Sequence, residues 1–142
     1  MLIEANEEFI TKIIFTDQPV VQKPNRLTDL TSSQLAEYFS ENREVFDLPL
    51  AFSGTEFQQN VLALVAEIPF GKTISYSELA HRYGNPKTIR AVAAANGKNP
   101  FAIVVPCHRV IGTNGKLTGY EWGLDKKEWL LRHENALPQT LF

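Results

Sequence analysis

Helix starts and stops follow one another so closely between residues 55 and 97 that only short, punctuated helices fit there. Thr55-Glu56-Phe57-Gln58 has the form of a capping box, in which two side chains satisfy free amides at a helix start. Behind it Phe57, Val61, Leu64, Val65 and Ile68 recur at helical spacing until Pro69 ends the stripe. Ser75-x-x-Glu78 opens a second helix to about Arg82, and Gly84 breaks it. Asn85 can cap a third helix with Pro86 at its first position, where a missing N–H costs nothing; it runs to about Asn96 and ends at Gly97. Two short helices across a glycine turn, over about 75–97, resemble a helix-turn-helix whose second helix enters a nucleic-acid groove. An ordinary αα-hairpin has the same outline.

The flanking sequence is mixed. Phe9–Phe15 is β-prone and reads as a strand or hairpin, followed by an Asp17–Pro24 loop. Thr31-Ser32-Ser33-Gln34 has capping-box form, with Leu35, Tyr38 and Phe39 behind it. Asp47–Gly54 reads as a linker, dividing the chain into 1–50 and 51–142. The apolar run Phe101–Val105 suggests a buried strand, and the last helix is expected to open at Asp125-x-x-Glu128. At 142 residues the chain suits one domain or a small domain with an appendage. No apolar run approaches the roughly 18–20 residues of a membrane span. The acidic MLIEANEEF start is unlike a secretory signal, so a cytoplasmic, monomeric protein without a membrane partner is expected.

Charge is segregated along the chain. The net charge of −2 hides eleven acids against four bases in residues 1–70. Residues 71–116 instead carry Lys72, Arg82, Lys87, Arg90, Lys98, Arg109 and Lys116 against Glu78. A basic block centred on the helix-turn-helix points to a polyanion, although a solvated face has the same composition. Ala91, Ala93, Ala94 and Ala95 would let that second helix approach another surface closely.

One cysteine, Cys107, excludes an internal disulfide. A zinc site would need Cys107, His81, His108 and His133 together, at spacings unlike a finger, so no metal or cofactor is expected. A lone cysteine is most often a small buried hydrophobe. Here Pro106 restrains the chain before it, and His108 and Arg109 follow. Neighbouring residues on an extended segment point to opposite sides, so His108 would reach the thiol only through a water or a bend. A polarised His and a nearby Arg would supply thiolate at neutral pH. A structural hydrogen bond for His108 and a surface salt bridge for Arg109 are the plainer readings.

The segments GTEFQ, IPFGKTISYSELA, GNPKTIRAVAAANGKNP, VVPCHRVIG, LTGY and KKEWLLRHE stand in order between Gly54 and Glu134. In them the chain resembles the O6-alkylguanine-DNA alkyltransferase family. The resemblance implies an α+β fold: a short N-terminal α/β remnant over 1–50, then a mainly helical, winged-helix-like DNA-binding and active-site domain over 51–142. It implies single-turnover repair of double-stranded DNA, the alkyl group passing from O6 of guanine to Cys107, with O4-alkylthymine left open as a second substrate. His108 would take the thiol proton through a water and Glu128 would orient His108. Tyr76 would donate to the base, and Asn99 would tie the recognition helix to the active-site turn. A base stacked in a duplex cannot reach a buried thiol and must be flipped out. Arg90 matches the arginine that fills the vacated space, with Lys87, Ala91, Ala94, Ala95 and Arg109 joining Tyr76 at the DNA. Pro106, Tyr120, Glu121 and Trp122 would line the substrate pocket.

Two departures stand out. Trp122 occupies a loop where the family often has small residues, which implies efficient methyl removal and poorer handling of benzyl adducts. The N-terminal part is short and lacks the cysteines of zinc-binding members. A lesion sensor without transfer is a second class, disfavoured because Cys107 is present. A thiol hydrolase is a third, disfavoured because Cys107 and His108 are adjacent.

Overall fold

The computed structural model describes residues 1–20 and 23–137, and these form two compact units. The first takes Met1–Phe52 and a return of the chain at Pro100–Val104; the second takes Ser53–Asn99 and the chain from Val105 onward. The Asp17–Pro24 loop falls partly outside the described residues.

In the first unit β1 (Leu2–Ala5) and β2 (Ile10–Ile14) form an antiparallel hairpin, Leu2 opposite Ile14, with a register shift at Glu4/Ala5. Asn6 closes its turn by accepting from the amides of Glu8 and Phe9. Ile10 and Ile13 point from β2 into the core and are fully buried. The other edge of β2 makes two single parallel bridges, to Leu50 and to Phe101. The Ile13 N–H donates to Pro100 O, and the Ala102 N–H to Ile13 O, both at 2.8 Å.

The helix α1 (Arg26–Phe39) starts earlier than its Thr31 box suggests. Asn25 is its cap: its side chain accepts from the Thr28 amide, while the Thr28 hydroxyl accepts from the Asn25 amide. Thr31 lies mid-helix and donates to Leu27 O, and Gln34 bonds both backbone groups of Asp47. A local cap motif is used for other contacts here because an Asn cap nearly two turns upstream also buries Leu27 and Thr28.

Phe101–Val105 is buried as expected except at half-buried Val104, but it is not a strand. Only Phe101 pairs, and at Ile103 the backbone turns with φ of 72°, the Val104 N–H donating to Ala102 O. A β-branched residue seldom takes that left-handed conformation. The pairing of Pro100 and Ala102 to β2 on one side, and complete burial on the other, hold it there.

In the second unit the Thr55 capping box forms as written, and α2 (Glu56–Ala66) buries Val61, Leu62 and Val65. Strand β3 (Ile74–Ser75) runs into α3 (Tyr76–Tyr83), whose cap is Ser75 and whose end is Gly84 at φ of 106°. Asn85 caps a 3-10 turn, Pro86–Thr88, before the true helix α4 (Ile89–Gly97). The helices α2, α3 and α4 pack on one another. Cys107–Arg109 forms another 3-10 turn, then β4 (Val110–Ile111) pairs in parallel with β3, Ile74 opposite Val110. The last helix, α5 (Leu124–His133), has no side-chain cap, so the Asp125-x-x-Glu128 box is not made. No helix among the described residues is long and apolar enough to cross a membrane.

Candidate active site

Pro106 adopts φ of −82° and ψ of 62°, and the Cys107 N–H donates back to Val105 O at 2.8 Å. That tight bend takes Cys107 off the extended path on which it and His108 would face apart. Two asparagines fix the bend from the α4 side. Asn99 Nδ2 donates to Val105 O at 2.7 Å and Asn96 Nδ2 to Cys107 O at 3.3 Å. Asn99 also bonds the Cys107 side chain.

Cys107 is 4% exposed and lies at a cleft of about 720 Å³ whose lining includes Tyr76, Arg90, Asn96, Tyr120 and Glu121. Burial pushes the thiol up to about 11, against the opposing effects of the Asn99 hydrogen bond and the Lys127 charge. A thiol in that state needs a base to become a nucleophile at neutral pH.

A candidate base is beside it in sequence. His108 is fully buried, and its Nε2 lies 2.8 Å from Glu134 Oε2. Burial of Glu134 opposes its charge, yet hydrogen bonds from His108 and Arg109, with their charges, outweigh it and hold the carboxyl at about 2. Burial lowers the His108 pKa, partly offset by Glu134. At neutral pH the pair is therefore a carboxylate and a neutral imidazole. A carboxylate only accepts, so Nε2 carries the proton and Nδ1 keeps a free lone pair. Nδ1 is the basic position.

Glu134, not Glu128, holds His108. Glu128 sits half-buried and pairs with Arg132 Nη2 at 3.1 Å, one turn along α5. The six-residue separation of the two glutamates amounts to about 600° of helical rotation, which puts them on different faces. Arg109 corrects a second expectation. It is 5% exposed rather than at DNA: its Nε and Nη2 grip Glu134 at 2.7 and 3.0 Å, and Nη1 donates to Ile68 O at 2.7 Å. Ala95 corrects a third, because it faces the core with Val92 and is 2% exposed. Lys87, Arg90, Ala91 and Ala94 remain on the exposed face of the 3-10 turn and α4.

Tyr76 opens α3, lines the cleft, and donates to Thr118 O at 3.3 Å. Its pKa is raised, first by burial and then by Cys107. Trp122 is not a cleft wall; it packs edge-on against Tyr120 with ring centroids 5.3 Å apart. Pro106 is buried beneath the site and shapes it through the backbone.

Three participants were absent from the expected set: Glu134, Lys127 and Asn96. Lys127 is fully buried, and its Nζ donates to Val110 O, Thr118 O and Gly119 O at 2.7, 2.9 and 3.2 Å, fastening the cleft loop to β4. Burial lowers its pKa to about 8, while Cys107 acts the other way. The signal for both charged residues lies in α5: Lys127, Leu130, Leu131 and Glu134 fall at i, i+3, i+4 and i+7, one buried stripe that excludes Glu128. Among the described residues no group of three or more His, Cys, Asp or Glu side chains could hold a metal ion.

Comparison with known proteins identifies relatives of this chain. The family model for the 6-O-methylguanine DNA methyltransferase DNA-binding domain matches residues 56–136. A methylated-DNA–protein-cysteine methyltransferase of Methanosarcina mazei is 48% identical over 141 residues, covering 94% of this chain and 89% of that one. A probable enzyme of the same name from Acanthamoeba polyphaga mimivirus is 52% identical over 140 residues, covering 98% and 91%. Among solved structures, Mycobacterium tuberculosis OGT in complex with DNA superposes with a TM-score of 0.86 at 39% identity, over 94% of this chain and 85% of that one. With a matching family model over more than half its length and a relative aligned along nearly all of it, the chain belongs to the methylated-DNA–protein-cysteine methyltransferase family.

Proposed function

We propose that this protein repairs double-stranded DNA by moving an alkyl group, mainly methyl, from O6 of guanine to Cys107 in one irreversible turnover. The observation that carries the reading is a lone thiol at a cleft wall, next to a neutral histidine whose far nitrogen is held by an ionised glutamate. The thiol proton passes to His108 Nδ1 through a water. The sulfur attacks the alkyl carbon, the C–S bond forms as the C–O6 bond breaks, and the electron pair goes to the guanine. Tyr76, at the same cleft, supplies a hydroxyl for the charge that develops on the base. The thioether has no route back to a thiol, so each molecule acts once.

The base reaches the cleft by leaving the duplex stack. Arg90 fills the space it vacates, while the small exposed side chains Ala91 and Ala94 allow α4 to lie close in the minor groove. Asn99 holds the nucleophile's turn to the end of α4, so the helix that grips DNA also sets the sulfur's position. Trp122 restricts the cleft by backing Tyr120 rather than by lining it. The lone thiol suits the cytoplasm, where cysteines stay reduced.

Intact-protein mass measured after incubation with a duplex holding one O6-methylguanine tests this. The expected result is a gain of one methylene mass, confined to Cys107 and saturating at one per molecule. Tight binding with no mass change would make the protein a lesion sensor, and repeated product release without modification would make it a hydrolase. An O6-benzylguanine duplex should react more slowly in the same assay, and equal rates would remove Trp122 from any role in substrate size.

A further inference from the structure

Among the described residues three buried side-chain polar atoms have no hydrogen-bond partner: Asn96 Oδ1, His108 Nδ1 and the Tyr120 hydroxyl. Asn96 and Tyr120 line the cleft with Cys107, and His108 follows Cys107 in the chain. Such atoms destabilise a fold when nothing meets them, so their gathering at the nucleophile calls for a function. Asn96 is already engaged through its Nδ2. The Tyr120 hydroxyl has no such engagement, and a phenylalanine would fill the same space against Trp122 without the cost.

The surroundings of Tyr120 say what the hydroxyl faces. Its ring lines the cleft that Cys107 also lines. Burial raises its pKa, and the Cys107 and Glu134 charges raise it further, so the group is a phenol with its proton in place. Those two residues are the ones that flank His108: Cys107 precedes it, and Glu134 holds its Nε2. Nδ1, the ring nitrogen that Glu134 does not hold, is the unpaired one.

We infer that Tyr120 is a positioning residue whose hydroxyl, with Cys107 Sγ and His108 Nδ1, holds the single water that carries the thiol proton. Three polar partners are what a buried water usually takes. The water accepts from the phenol and from the thiol, and donates to Nδ1. When the thiol ionises, its proton passes to the water and a water proton passes to Nδ1. The imidazolium then donates to the water, which donates to the thiolate, and the phenol still donates to the water throughout. No atom is gained or lost, and the charge pair so formed is thiolate and imidazolium. The phenol fixes the water's orientation so that its lone pair faces the thiol and its hydrogen faces the imidazole. This inference rests on the reading of Cys107 as the alkyl acceptor, but its test can be made without DNA.

Tyr120→Phe removes the hydroxyl and keeps the ring. Cys107 is the chain's one cysteine, so mass gain with iodoacetamide counts that thiol alone. The rate is followed against pH for both proteins, with thermal midpoints recorded alongside. Loss of the water's third partner should raise the pH midpoint of alkylation by about one unit and slow the reaction at pH 7 about tenfold. Methyl transfer from the O6-methylguanine duplex should fall by a similar factor with DNA affinity unchanged. The thermal midpoint should change little, because the ring and its packing against Trp122 are kept. An unmoved alkylation profile would overturn the inference. So would slower methyl transfer with that profile unmoved, because the hydroxyl would then be acting on the base. A wild-type protein that takes iodoacetamide but no methyl from DNA would instead overturn the repair reading, leaving the Tyr120→Phe profile to decide this one.

Discussion

At the level of single residues, Glu134 sits where three demands meet. It orients His108, balances Arg109 and must remain ionised inside the protein. The double grip of the Arg109 guanidinium occupies both carboxylate oxygens, so Glu134 cannot swing away from the imidazole. Replacing Glu134 by Gln strands a buried guanidinium, which should cost about 3–5 kcal/mol. Glu128→Gln, at a half-exposed helical pair, should change stability by no more than about 0.5 kcal/mol. Chemical denaturation of both variants, with methyl transfer measured beside it, separates the two glutamates; equal effects would return the role to Glu128. The pH dependence follows from the same bonds. Because folding depresses the Glu134 pKa, its contribution is present above the ordinary carboxylate range and is lost as pH falls through about 2. Acid denaturation of the wild type should therefore carry a component below pH 4 that Glu134→Gln lacks.

At the level of elements, the clearest sequence signals are those whose partners lie within four residues. The Thr55 box, the Ser75 cap and the Gly84 stop are satisfied inside their own turns, so the sequence carries them whole. Thr31 and Gln34 have the same local form, but their partners are Leu27 and the distant Asp47, and a capping pattern carries no trace of those. The exposed face of α4 was partly legible for the same reason. Alternation of charge and alanine names the face, and only the packing of Val92 and Ala95 shows where it ends. On that face Arg90 and Lys87 have separable roles. Lys87 stands exposed on the 3-10 turn before the helix, while Arg90 borders the cleft. Lys87→Ala should weaken binding on all sequences and reduce the salt slope by about 1. Arg90→Ala should diminish flipping more than affinity, read by fluorescence of a 2-aminopurine at the target position. Lost affinity with normal flipping would make Arg90 another phosphate contact.

For the whole molecule, what the sequence hides is mostly closure over long separations. Arg109 reaches Ile68 and Glu134, and Phe101 pairs with Ile13; neither link has a local pattern. The same closure alters the charge argument. The basic block of residues 71–116 contains seven bases, yet Arg109 is neutralised inside the protein by Glu134, and Arg82 pairs with Glu78. Lys72, Lys87, Arg90, Lys98 and Lys116 remain exposed to meet phosphates. Five contacts set a ceiling of about 4.5 on the slope of log affinity against log salt for duplex DNA. Binding isotherms on undamaged duplex over a range of salt concentrations should give a slope at or below that ceiling. A slope of about 6 would mean that Arg109 and Arg82 leave their partners on DNA, and the buried Arg109–Glu134 pair would then be a feature of the free protein alone.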